Sequence, residues 1–242
     1  MEVADRVAVV TGAAAGIGLA VARALAAGGA ELILADVDVD GGQTAASEVG
    51  GRFVRADVLV DDDLRALIGG AAGISILVNN AGGAPGPNFP EAPVEHWSRT
   101  LDLNLRSAMV ATQLALAAMA DGGAIVNVAS MAGYGLFPHG APEYAAAKAG
   151  LMRLTGALAP AAQTHGVRVN CITPDWVDTP AVHRSLAAMT TEERAQVPEL
   201  VSAEEIAGLV VDLIRDDTLA GRVLIRPADG PTELMPIEGP CG

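Results

Sequence analysis

The stretch Val7-Ala-Val-Val-Thr-Gly12-Ala-Ala-Ala15-Gly16-Ile17-Gly18-Leu-Ala-Val-Ala-Arg-Ala-Leu-Ala-Ala27 frames the reading of the whole chain. A β-branched run stops at a cluster of three glycines and passes into an alanine-rich segment, the pattern of a strand, a tight turn and a helix. Glycines in such a turn let backbone N–H groups approach a pyrophosphate and let a helix N-terminus face it without Cβ interference. The spacing is G-x-x-x-G-x-G, whereas the commoner dinucleotide pattern is G-x-G-x-x-G, and by itself a glycine cluster after a strand is equally a plain βα turn.

Downstream, Gly28-Gly29 ends the helix, and Glu31-Leu-Ile-Leu-Ala35 reads as a second buried strand closed by Asp36. An acidic residue at that place accepts hydrogen bonds from a ribose 2′-hydroxyl and repels a 2′-phosphate. No Arg or Lys stands at positions 13–15 or 37 to offset it, which favours NAD over NADP; the alternative is a solvated strand-end aspartate. The alternation continues through a helix near Gly42–Val49, a strand at Arg52–Arg55 and a helix near Asp61–Ile68. Asp57 either meets an adenine amine or caps the next turn. Ile74–Val78 is a fourth strand running into Asn79-Asn80-Ala81-Gly82, whose amides can tie strand ends together beside a cofactor. A long helix from His96 to Met119 carries Asn104, which needs a partner if buried. Gly123–Ala129 is a fifth strand ending at Ser130, Val167–Ile172 a sixth and Arg222–Arg226 the last. Such alternation predicts a doubly wound parallel α/β sheet with helices on both faces and ligands at the carboxyl ends of its strands.

The composition agrees with one layered domain over residues 1–242. Hydrophobic residues make up 51% and aromatics only 3%, so the core is built from Ala, Val, Leu and Ile. The formal charge, 15 − 29 = −14, and the lack of a Lys/Arg cluster disfavour nucleic acid as a partner. Two dissimilar cysteines, Cys171 and Cys241, make no disulfide framework and fit a reducing cytoplasm. The apolar runs are far shorter than the ~20 residues of a spanning helix, and no basic leader opens the chain. The four histidines show no paired ligand spacing, so no metal site is expected.

On a helix from Pro142 to about Pro160, Tyr144 and Lys148 share one face, four residues apart. A cation held beside a phenol favours the phenolate and moves the group toward acid–base work near neutrality. Tyr and Lys at this spacing also occur on many solvated faces. What points to an active site is the company of Ser130, Asn104 and the glycine turn.

Taken together, TGAAAGIG (11–18), Asp57, NNAG (79–82), Asn104, Ser130, YAAAK (144–148) and the Pro174…Thr179 segment resemble the short-chain dehydrogenase/reductase family in order and spacing over nearly the whole chain. The resemblance implies a Rossmann-like sheet of seven strands, a nicotinamide cofactor and a tetrad of Asn104, Ser130, Tyr144 and Lys148. It implies that Tyr144 exchanges the proton of a secondary alcohol or ketone, that Lys148 stabilises the phenolate and holds the nicotinamide ribose, that Ser130 positions the substrate oxygen, and that Asn104 holds a water linking Lys148 to solvent. The cofactor would be held by Gly12, Ala15, Gly16, Ile17, Gly18, Asp36, Asp57, Val58, Asn80, Ala81, Gly82, Tyr144, Lys148, Pro174 and Val177, with Thr179 on the nicotinamide amide. Val167–Thr179 and Leu213–Gly221 look somewhat like the NAD-linked 15-hydroxyprostaglandin dehydrogenase branch. The chain departs from the family pattern at Asp175, where glycine is usual and which puts a carboxylate near the expected nicotinamide region, at Ser75, and at Ala228-Asp-Gly-Pro231.

The cofactor half is expected over about residues 1–130 and the catalytic half over about 130–230, with a lid at about 175–200 and an irregular tail over 227–242. Ser202-Ala-Glu-Glu205 reads as a capping box opening the helix Ile206–Ile214. Candidate substrate contacts are Ser130, Leu136, His139, Tyr144, Asp175 and Trp176, with Phe137, Val182, Leu186 and Met189 adding apolar wall. His139 either touches substrate or is a solvated loop histidine. Such a pocket suits a neutral, apolar small-molecule alcohol or ketone. Apolar residues on several sides of the helices at 104–119 and 144–158 predict a homodimer or homotetramer. Rival readings are a non-catalytic NAD-binding sensor or scaffold, and a lyase or dehalogenase on the same fold.

Overall fold

The computed structural model describes residues 1–236. The first strand, β1 (Val7–Thr11), passes through the glycine turn into α1 (Gly16–Ala27), and β2 (Glu31–Asp36), α2 (Val39–Val49), β3 (Arg52–Arg55), α3 (Asp61–Gly69) and β4 (Ile74–Asn79) complete the first half. In the second half, α4 (Val94–Leu101), a π-helical turn (Asp102–Arg106) and α5 (Ser107–Ala118) lead to β5 (Gly123–Val128). A 3₁₀ turn (Met131–Gly133), α6 (Pro142–Ala157) and α7 (Ala161–Thr164) precede β6 (Val167–Pro174). The chain then runs through β7 (Val177–Asp178), α8 (Pro180–Ala188), α9 (Thr191–Arg194), β8 (Val201–Ser202), α10 (Ala203–Arg215), β9 (Val223–Arg226) and β10 (Glu233–Leu234).

Eight strands form the main sheet in the order β10-β9-β6-β5-β4-β1-β2-β3, all parallel except β10, which runs antiparallel to β9. The expected seven strands are present; the eighth comes from the tail, where Glu233 and Leu234 pair with Ile225 and Leu224 and cover an otherwise open edge. The tail is therefore not wholly irregular, and its part beyond residue 236, with Cys241, lies outside the described residues. Helices α1, α2 and α10 pack their small and branched side chains on one face of the sheet, and α3 and α5 on the other. Strands β4 and β6 are buried along their whole length, as inner strands covered on both faces are. Because β1 has β2 on one side and β4 on the other, the order reverses at β1, and the crevice of the fold opens at the carboxyl ends of β1 and β4.

Two local expectations change. The helix expected from His96 to Met119 starts at Val94 and is broken by the π turn that carries Asn104. The capping box expected at Ser202 is half made: Ser202 accepts from the Glu205 N–H at 3.1 Å, but the Glu205 carboxylate pairs with Arg226 at 2.5 Å instead of reaching back. A complete capping box forms at Thr190 and Glu193, opening α9. Among the described residues no helix is long and apolar enough to cross a membrane.

Candidate active site

At the crevice, the glycine turn has the shape its sequence requires. Gly12 and Gly16 adopt positive φ, 65° and 58°, and a Cβ on Gly18 would fall 2.2 Å from the Gly12 carbonyl oxygen. The turn and helix α1 therefore approach closer than any side chain permits. Ala15 is the N-cap of α1 and no side chain caps the helix, which leaves the positive end of its dipole and its first amides free for an anion. Asp36 is oriented by two amides, Oδ2 accepting from Ala14 at 2.9 Å and Oδ1 from Asp38 at 3.0 Å. Asp57 closes its turn, Oδ1 accepting from the Leu59 N–H at 3.0 Å, while the Asp57 N–H donates to Asp63. Val37 and Val60, 57% and 44% exposed, stand beside these strand ends, with Val58 buried behind. Sequence reasoning passed over both valines, although for Val37 an apolar residue directly after the strand-end Asp36 was the available signal. An uncapped helix end, glycines at the turn and an oriented carboxylate beside exposed apolar surface fit a dinucleotide.

The Asn79-Asn80-Ala81-Gly82 turn locks β4 to β1. Asn80 Nδ2 donates to the carbonyls of Thr11 and Gly12, both at 2.9 Å, and the Thr11 hydroxyl accepts from the Asn80 and Ala81 amides. Asn79 begins a buried chain in which its Nδ2 donates to Thr112 and to Asn127, and Asn127 donates to Thr155 on α6. Each buried amide is thereby matched, and the strand ends beneath the crevice are joined to the helix that carries Tyr144.

The four tetrad candidates come from three elements: Asn104 from the π turn, Ser130 from the cap of the 3₁₀ turn, and Tyr144 with Lys148 from α6. Asn104, 1% exposed, donates to the carbonyls of Gly83 at 2.7 Å and Thr100 at 2.9 Å and accepts from the Gly83 N–H at 2.9 Å. The π turn opens the helix enough for this amide to reach the neighbouring loop. Gly82 separates Asn104 from Lys148: a Cβ there would lie 2.6 Å from Asn104 Oδ1 and 3.2 Å from Lys148 Nζ. Lys148 is buried, donates to the Val128 carbonyl at 2.8 Å and sits 5.6 Å from the centre of the Tyr144 ring. Burial lowers its ammonium from 10.5 to about 8. Ser130 caps the 3₁₀ turn, its Oγ accepting from the Ala132 N–H at 3.2 Å.

The expectation that the cation favours the phenolate does not hold for this ligand-free arrangement. Burial raises the Tyr144 phenol above its usual 10, with the Ser130 hydroxyl acting in the opposite sense. The reason is that desolvation penalises both charged forms, the ammonium as well as the phenolate. Beneath them Cys171 is fully buried, its thiol pushed up to about 11 by the same burial.

The segment expected as a lid is tied at both ends. Strands β7 and β8 pair Val177 with Val201 and Asp178 with Ser202, pinning both ends of the segment that carries α8 and α9, neither of which has a buried residue. Thr179 caps α8 by accepting from the Val182 N–H, and its methyl carbon lies 3.1 Å from where a Gly16 Cβ would be, so Thr179 faces the glycine turn. Pro174, at the end of β6, and Val177 are buried beside it. Asp175, expected near the nicotinamide region, accepts from the Trp176 N–H at 3.0 Å and from the Ala228 N–H at 3.2 Å, tying β6 to the tail. Trp176 is half-buried, and its carbonyl accepts from the Val201 N–H.

Before α6, Leu136 and Phe137 stand in solvent instead of forming a wall, Leu136 completely and Phe137 at 53% exposure. His139 is brought to Tyr144, the ring centres 6.1 Å apart with planes at 29°. Two residues missed from the sequence join the loop after β4 to this region: Glu143 Oε2 accepts from the Phe89 N–H at 3.3 Å, and Asn88 Nδ2 donates to the Gly140 carbonyl at 3.0 Å. Neither carries a local signal, because each contact spans more than fifty positions. A groove of about 490 Å³ between α10 and the β9–β10 hairpin, lined by Leu209, Leu213, Leu224 and Leu234, contains none of the tetrad residues.

A family model described as enoyl-(acyl carrier protein) reductase matches residues 12–224. Cis-4-hydroxycyclohexanecarboxylate dehydrogenase of Sinomonas cyclohexanicum is 38% identical over 226 residues, covering 88% of this chain and 90% of its own. The L-fucose dehydrogenase of Oryctolagus cuniculus is 36% identical over 211 residues, covering 84% and 73%. Among solved structures, a variant of actinorhodin polyketide ketoreductase with NADPH superposes with a TM-score of 0.84 at 30% identity, covering 91% of this chain and 95% of that one.

Proposed function

The chain belongs to the short-chain dehydrogenase/reductase family, and on that premise we propose that it is an NAD-linked enzyme interconverting a secondary alcohol and a ketone, with Tyr144 as the acid–base group. The observation that carries the reading is the convergence of Ser130 with Tyr144 and a buried Lys148 of α6, in a fold whose glycine turn opens an uncapped helix N-terminus.

The bound nicotinamide supplies the hydride acceptor or donor. The chain's residues do the rest. Ser130 holds the substrate oxygen against the Tyr144 hydroxyl, and Tyr144 takes the alcohol proton during oxidation or returns it during reduction. The pair Tyr144 and Lys148 works as one unit: a ligand that restores hydrogen bonds to Lys148 favours its charged form, and the charge then favours the phenolate that burial alone disfavours. Asn104, held by Gly83 and Thr100, fixes the loop at Gly82 over Lys148. The Asp36 carboxylate selects a ribose diol and repels a 2′-phosphate, which supports NAD over NADP.

Trp176, Val182, Leu186 and Met189 supply apolar surface for a neutral alcohol, and the formal charge of −14 disfavours anions. The name of the Sinomonas relative includes a carboxylate, so a carboxylated analogue belongs in the test. The protein works in the cytoplasm as a homodimer or homotetramer built on the faces of α5 and α6, where Met109 is 46% exposed. Sedimentation at the monomer mass of 24.4 kDa alone would refute the assembly. The decisive experiment titrates the purified protein with NADH and NADPH and screens secondary alcohols and ketones for turnover. Tighter NADPH binding would defeat the cofactor assignment, and binding without turnover of any carbonyl would favour a sensor.

A further inference from the structure

His139 is held at two points. Its ring lies against that of Tyr144, and its Nδ1 sits 3.0 Å from the Ala141 backbone nitrogen and 3.1 Å from the Ala141 carbonyl oxygen. Nδ1 is thus engaged by the Ala141 backbone in either tautomer, accepting from its N–H or donating to its carbonyl. Nε2 is the ring nitrogen left for a ligand, and among the described residues no protein group pairs with it. A loop histidine that merely closes its turn would account for the Nδ1 contact, but not for a second anchor on the ring of Tyr144 or for a ring nitrogen left open beside it.

We propose that Nε2 of His139 is a specificity-determining group that hydrogen-bonds a second, neutral hydroxyl of the substrate, carried a few bonds from the carbon that Tyr144 serves. The preferred substrates are then vicinal diols and hydroxyketones, not simple mono-alcohols. This rests on the alcohol-dehydrogenase reading above and deepens it. Two anchors orient the ring before substrate arrives, so little ordering entropy is lost when the bond forms. A hydroxyl both donates and accepts, so it matches Nε2 in either tautomer.

The test compares kcat/KM for vicinal cyclohexanediol with that for cyclohexanol, using the full chain with saturating NAD, in the wild type, His139→Phe and His139→Gln. Phenylalanine keeps a ring against Tyr144 and removes the ring nitrogens, whereas glutamine keeps a hydrogen-bonding amide on a different frame. The diol should be favoured by about tenfold in the wild type, the size of one well-placed hydrogen bond. The ratio should fall toward one in His139→Phe and recover in part in His139→Gln. A ratio that is the same in the wild type and His139→Phe overturns the inference while leaving the dehydrogenase reading intact. A wild-type preference for cyclohexanol overturns it as well. Failure of the wild type to oxidise either alcohol defeats the dehydrogenase reading itself, and this inference with it.

Discussion

The two sides of the crevice are built differently. On the cofactor side, Thr11, Asn79, Asn80 and Asn127 tie β1, β4 and β5 into a hydrogen-bonded block, and Gly12 and Gly18 sit where no other residue fits. On the substrate side, α8 and α9 bury nothing, Leu136 is fully in solvent, and two residue pairs of β7 and β8 pin the whole lid. A ligand that never changes is served by a preformed site, and a ligand that defines the individual enzyme is served by segments that can be rebuilt without disturbing the core.

Substitution at the seam between the two sides should have the largest effect. Tyr144→Phe should reduce turnover by about 10²–10⁴, the range for a positioned acid–base group, and leave NADH affinity nearly unchanged. Loss of NADH binding in fluorescence titration would make the tyrosine part of the rigid block instead.

The next effect is on stability and tests how deeply Lys148 is held. Its folded pKa of about 8 lies below the ordinary 10.5, so between these values the unfolded chain binds more protons and stability rises with pH. Cys171, raised from 9.0 to about 11, acts in the opposite direction, since above pH 9 the unfolded chain has lost a proton that the folded one keeps. The ligand-free protein should therefore gain about 1 kcal/mol between pH 8 and pH 9 and level off above it, as read by urea unfolding. Lys148→Met should show no such rise; an unchanged rise in that variant would assign it elsewhere.

Asp36→Ala should weaken NADH by roughly tenfold, because the ribose loses a charged acceptor, and should narrow the gap to NADPH. Equal weakening of both cofactors would mean that the carboxylate only braces the Ala14 and Asp38 amides. The smallest stability effect belongs to the lid. Val182→Ser should change unfolding free energy by no more than about 0.5 kcal/mol, yet cost about 1 kcal/mol or more in kcat/KM for an apolar alcohol. A large loss of stability there would erase the contrast between the two sides.

The amino-acid sequence by itself determined the alternation of strands and helices, the glycine turn, Asp36 at the end of β2, and the Tyr144 and Lys148 pair, since each is a residue type required at a fixed local spacing. Tertiary structure alone decided the β10 strand, the β7–β8 clasp, the π turn at Asn104, the turn of Asp175 toward Ala228 and the Glu143 tie to Phe89. It also decided the charge state of the site: the sequence placed a cation next to a phenol, but how far water is excluded from both depends on everything packed around them. Spacing along the chain encodes which side chains share a turn or a helix face. Partners separated by 20 to 70 positions, such as Lys148 with Val128 or Asn80 with Thr11, meet only after the layers have closed, and the solvent they exclude then sets the energies.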